Sequence, residues 1–127
     1  MSAQTRELAR RWFEEVWNER RADTIEELVH PHCIGHHEGR MTRGSADLKV
    51  MRDQLLTMVA DLRVVIEDIC AEDDNAVVRW RFAGVSSAGS RKPISFEGMT
   101  WLKFSEGKVI EGWDRWNQAA FLQQVAM

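Results

Sequence analysis

Ile94-Ser95-Phe96-Glu97-Gly98-Met99-Thr100-Trp101-Leu102-Lys103-Phe104 and Lys108-Val109-Ile110-Glu111-Gly112-Trp113-Asp114-Arg115-Trp116 flank the tripeptide Ser105-Glu106-Gly107. Each run is rich in branched and aromatic residues, and the link is short, polar and ends in glycine. That pattern predicts a β-hairpin. Strand periodicity extends back to residue 62. Residues 62–69 and 76–85 read as two further strands, with an acidic turn at 72–75 and a small loop at 86–90.

The first half has helical spacing instead. Ala9, Trp12, Phe13, Val16 and Trp17 fall on one face of a helix over residues 5–18, and Arg10, Arg11, Glu14 and Glu15 on the other. Asp23 and Glu26 predict a capped second helix. Pro31 ends it, because the residue before proline is pushed out of helical geometry. Residues 33–37 read as a short strand, 39–44 as a polar turn, and 45–60 as a third helix with Leu48, Met51, Leu55, Met58 and Val59 inward. Residues 117–125 read as a closing helical turn that Asn117 can cap. Helices first and an antiparallel sheet afterwards predict an α+β fold: three N-terminal helices on a strongly curved sheet, with a pocket between them. The length of 127 residues and the absence of a linker or repeat predict one domain over 1–127.

The net charge is −3, with 17 basic and 20 acidic residues interspersed. No basic block marks a nucleic-acid partner. No apolar run reaches the roughly 18 residues of a membrane span, and the N-terminus lacks a signal-peptide core. Cys33 and Cys70 lie in no motif and read as reduced thiols, which suits the cytoplasm.

The helix ending in Trp17-Asn18, the stretch Gly44-Ser45-Ala46-Asp47-Leu48-Lys49 with Ala60-Asp61-Leu62-Arg63-Val64, the segment from Ala71 to Trp80, and Gly107-Lys108-Val109-Ile110-Glu111-Gly112-Trp113-Asp114 with Leu122-Gln123-Gln124 occur in a telling order. In that order the chain resembles the SnoaL-like polyketide cyclases of the nuclear transport factor 2-like superfamily, over nearly its full length. Two places depart from the family pattern: Asn117 stands where an Asp is common, and Gly84-Val85-Ser86 where Gly-Thr-His is common. The resemblance implies a cone-shaped fold, a small apolar ligand, a homodimer through the outer face of the sheet, and cofactor-free acid/base chemistry such as aldol cyclisation or isomerisation of a carbonyl compound. A non-catalytic binding or dimerisation module of the same fold is the competing expectation, because fold does not fix function.

Asp114, between Trp113 and Trp116, is the first candidate acid/base. A carboxyl in apolar surroundings is shifted upward by desolvation, toward the pH at which it can both give and take protons. It could equally pair with Arg115 or cap the last turn. His30, His32, His36 and His37 cluster within eight residues, but their spacing does not converge as metal ligands do, so no metal is expected. The resemblance places a His in this strand, so His36 or His37 is expected to reach into the pocket as a hydrogen-bonding or acid/base partner, and spacing does not choose between them. Arg79 could bind an oxyanion in the pocket, or lie outside it while Trp80 and Phe82 point in. Trp12, Trp17, Met51, Leu55, Trp101, Trp113, Trp116 and Asn117 complete the expected substrate-binding set.

Overall fold

The computed structural model describes residues 2–87 and 91–126. Helix α1 (Ser2–Arg11) runs into a π-helical segment (Trp12–Asn18), followed by α2 (Ala22–Leu28), β1 (Val29–His37), β2 (Arg40–Arg43), α3 (Gly44–Met58), β3 (Val59–Glu72), β4 (Asn75–Ser86), β5 (Pro93–Ser105), β6 (Lys108–Trp116) and α4 (Gln118–Ala126). The six strands form one sheet in the order β2-β1-β6-β5-β4-β3. Among the described residues only the β1–β6 pairing is parallel. The expected α+β architecture is present, with a fourth helix at the end and a sheet that does not close.

Several elements differ from the sequence expectation, each for a local reason. The first helix changes its turn at Trp12, where the Glu19 N–H bonds to the Glu14 carbonyl at 2.9 Å, five residues back. The wider turn lets Trp12 and Trp17, five apart, face the same way. The expected capping box is not formed: Arg21 occupies the N-cap, and Asp23 lies inside α2, bonded to the Arg21 guanidinium at 3.3 Å. Helix α2 stops at Leu28, before Pro31, because the chain is already recruited into the sheet at Val29. The polar turn expected at 39–44 contains strand β2, paired with β1 across a turn in which Gly39 has φ +78°. Of the loop expected at 86–90, residues 88–90 lie outside the described residues.

Alternation sorts the sheet into two faces. On β4, Val78, Trp80 and Phe82 are buried and Arg79 and Arg81 exposed. The buried face meets Phe13, Val16 and Trp17 of the π-helical segment and Leu48 of α3 in one core. Where β3 bends, at its register shift between Ala60 and Arg63, Asn18 stands in for a neighbouring strand. Its Nδ2 donates to the Val64 carbonyl at 3.0 Å and its Oδ1 accepts from the Val64 N–H at 2.8 Å. An ion network fixes α2 against the first helix. Arg11 bonds Glu15 and Glu27, each at 2.7 Å, and the Thr24 hydroxyl donates to Glu15 at 2.8 Å. The Arg11 guanidinium, with Thr24 assisting, holds the Glu15 carboxyl down at about 2.

Candidate active site

The concave face of the sheet and the helices line a cavity of about 190 Å³. Trp12 and Trp17 from the π-helical segment, Met51 and Leu55 from α3, and Phe96 and Phe121 give it an apolar wall. Trp116, at the end of β6, closes it against Phe96, with ring centroids 4.9 Å apart. Glu38, Arg40, Gln54 and Gln118 add polar groups, Arg40 donating to Gln54 at 3.1 Å. Cys33 also faces this cavity; burial pushes its thiol up to about 11, with the Glu111 carboxylate adding to the shift.

Two ionisable groups of the sheet wall, His37 and Asp114, meet each other. His37 Nδ1 lies 2.6 Å from Asp114 Oδ2, and His37 Nε2 lies 3.0 Å from the Thr42 hydroxyl. Thr100 Oγ1 donates to Asp114 Oδ1 at 2.6 Å and accepts from the Trp80 indole N–H at 2.8 Å. The register makes this local. Thr100 sits opposite Asp114 in the β5–β6 ladder, and Thr42 opposite Gly35 in the β1–β2 ladder, two residues from His37. Both side chains of the pair are largely covered, at 11 % and 21 % exposure, so the contact works in a partly desolvated setting. Asp114 is not the isolated carboxyl in an apolar context that the sequence suggested. It is a hydrogen-bonded one, and Arg115 reaches only its backbone carbonyl, at 2.7 Å.

Five residues of the expected site lie elsewhere, mostly through the parity of their strands. His36 is on the outer face, bonded to Glu111 at 2.7 Å and stacked on Trp113, centroids 5.4 Å apart. Trp113 and Trp101 are therefore outside too, and the Trp101 indole donates to Asn75 at 3.0 Å. Arg79 is exposed on the same outer face. Asn117 caps α4, accepting from the Ala120 N–H at 3.0 Å, which is a structural use. Trp12, Trp17, Met51, Leu55, Trp116, His37 and Asp114 do border the cavity. Residues the sequence reading did not single out are Thr42, Thr100 and Gly35. A Cβ on Gly35 would lie 2.6 Å from His37 Nε2 and closer still to Thr42 Oγ1. Among the described residues no group of three or more His, Cys, Asp or Glu side chains converges as metal ligands would.

Solved structures share this architecture. A protein of Jannaschia sp. CCS1, provisionally assigned as a SnoaL-like polyketide cyclase, is 22% identical with TM-score 0.88, over 98% of this chain and 93% of its own. TerC, co-crystallised with polyporic acid, is 17% identical with TM-score 0.83, over 98% and 99%. A nuclear transport factor 2-like protein of unknown function from Burkholderia pseudomallei K96243 is 13% identical with TM-score 0.86, over the whole of both chains. At these identities the likeness speaks for the fold. No curated protein gives a significant sequence match. The model of the SnoaL-like polyketide cyclase family, however, matches residues 7–125, and the chain belongs to that family.

Proposed function

We infer that the protein is a small-molecule enzyme of the cyclase or isomerase type, acting by general acid/base chemistry on an apolar carbonyl compound, with Asp114 and His37 as its acid/base pair. The observation that carries this reading is the 2.6 Å His37–Asp114 contact in the wall of a largely apolar cavity. The Asp114 carboxylate takes a proton from the carbon next to the substrate carbonyl, and the electron pair moves into the enolate. Returning the proton to another carbon is isomerisation. Attack of the enolate carbon on a second carbonyl forms the new C–C bond of an aldol cyclisation, and the resulting alkoxide takes the proton back. His37 holds the carboxylate and shares its proton. The aromatic wall selects flat apolar substrates, and none of these steps calls on a cofactor. An epoxide-hydrolase-like site is disfavoured, because Arg79 faces away from Asp114.

One observation favours the competing reading, a binding module without turnover: each Asp114 oxygen and each His37 nitrogen already has a protein partner. Enolisable ketones and polyketide-like esters carrying deuterium next to the carbonyl separate the two. NMR should show loss of that deuterium to water in the native protein, and Asp114→Asn should slow it about 10²- to 10⁴-fold while leaving affinity within a few fold. Undiminished exchange in Asp114→Asn would remove the role from Asp114. Saturable binding without exchange of any bound compound would establish the binding module.

A further inference from the structure

Hydrogen-bond direction around Asp114 can be worked out atom by atom. The indole N–H of Trp80 is a donor only, and a threonine hydroxyl has a single hydrogen. Trp80 and Thr100 are buried, at 3 % and 5 % exposure. The 2.8 Å contact therefore makes Thr100 Oγ1 the acceptor of the indole hydrogen. Its own hydrogen is donated to Oδ1 of the ionised Asp114, an acceptor only, 2.6 Å away. A carboxyl proton on Oδ1 would require the Thr100 hydroxyl to give up that bond and turn its hydrogen elsewhere, so the arrangement favours protonation of Asp114 on Oδ2, which faces His37 Nδ1. Thr42 differs. Among the described residues no fixed donor turns its hydroxyl, which can give a hydrogen to His37 Nε2 or take one from it across 3.0 Å.

We propose that Thr100, oriented by Trp80, is a positioning residue that fixes the Asp114 carboxylate and biases the exchangeable proton of the pair toward the Oδ2–Nδ1 contact, while Thr42 is the reversible partner that lets His37 change protonation state. This rests on the reading of Asp114 and His37 as the acid/base pair. One hydroxyl is locked and the other is free to turn, so a proton can arrive at or leave the pair without the carboxylate rotating. Glycine at 98 makes the locked half possible. A Cβ there would lie 2.6 Å from both the Arg115 carbonyl oxygen and Trp116 Cβ and 2.8 Å from Trp80 Cζ2, so a side chain would displace β6 or the indole.

Thr100→Val keeps the shape and removes the hydroxyl; Thr100→Ser restores it. In the native protein, nitrogen-15 NMR should show a His37 Nδ1 proton that is downfield and slow to exchange with water. Thr100→Val should broaden or abolish that signal, and Thr100→Ser should keep it. On the substrate found for the proposed reaction, Thr100→Val should lower kcat about tenfold with KM within twofold and alter the pH profile of kcat; Thr100→Ser should stay within about threefold of native. Trp80→Phe frees the Thr100 hydroxyl to rotate and should weaken the same signal, which supplies the test if Thr100→Val does not fold. A folded Thr100→Val with the native Nδ1–H signal and pH profile overturns the proposal, as does an unchanged signal in Trp80→Phe. The spectroscopic arm needs no substrate, so a failed catalytic reading of Asp114 and a failed positioning role for Thr100 give different results.

Discussion

Replacing Gly35 by Ala tests whether the His37–Thr42 arrangement is built into the backbone. The added Cβ would sit 2.6 Å from His37 Nε2 and nearer still to Thr42 Oγ1, well inside van der Waals contact. Both obstructing atoms are side-chain ends, so the chain can relieve the overlap by turning His37 away. That relief breaks the 3.0 Å bond to Thr42 and loosens the 2.6 Å contact with Asp114. A net hydrogen bond is worth about 0.5–1.5 kcal/mol, and forcing a methyl into a packed site costs about 1–3 kcal/mol. The expected loss is therefore about 1–3 kcal/mol, or about 4–12 °C in Tm for a chain of this size. Gly39→Ala is the control. Its Cβ would meet nothing within 4 Å, and only its left-handed φ of +78° opposes the change, at about 1 kcal/mol. The assay is thermal unfolding by circular dichroism, with the His37 ring resonances recorded on the same samples. If Gly35→Ala melts with the native protein and leaves those resonances in place, the steric reasoning is wrong.

Two further outcomes concern other parts of the molecule. Glu15 has its carboxyl held down to about 2, against an ordinary value of 4.5, by Arg11 first. A depressed carboxyl stabilises the folded state above its unfolded value and loses that contribution as the pH falls. Stability should therefore drop between about pH 4.5 and 2, and Glu15→Gln should flatten the drop by about 1–3 kcal/mol in urea titrations; an unchanged acid limb would remove Glu15 from the account. We also propose that two copies associate through the outer face of the sheet, where Met99 and Trp101 are about half exposed beside Trp113. Light scattering should give twice the chain mass of 14.7 kDa, and Trp101→Glu should halve it; a monomer mass for the native chain refutes the association.

The fold was legible because its signals are periodic and long. The change from helical to strand spacing near residue 60 and the Ser105-Glu106-Gly107 link located the main helices and the large antiparallel strands. The short strand β2 was missed because four residues, Arg40–Arg43, carry too little alternation to stand out from a polar turn. Its identity comes from pairing with β1, a contact between segments that spacing does not show. The π-helical turn was equally hidden. Its i→i+5 bonding is decided by how Trp12, Phe13 and Trp17 pack against the sheet, while the apolar spacing alone fits an ordinary helix.

The site was legible in its residue types and poorly legible in its geometry. On a strand, one position of error moves a side chain through the sheet. Trp113 and Asp114 are adjacent on β6 and cannot share a face, so counting both into one pocket conflicted with the alternation of the strand itself. The histidines posed a harder problem. The β1–β6 pairing shifts register between Val29 and Ile34, so alternation counted from the end of α2 does not carry through to His36 and His37. What decides the matter is partner supply. Position 37 meets Asp114 and Thr42 on the concave side, and position 36 meets Glu111 and Trp113 on the other. Two adjacent histidines thus each hold a carboxylate on opposite faces of one sheet, and only the pair that faces the cavity is placed to meet a ligand. The residue that lets this inner pair form is Gly35, whose contribution is the absence of a side chain, and no pattern of chemistry-bearing residues can point to it.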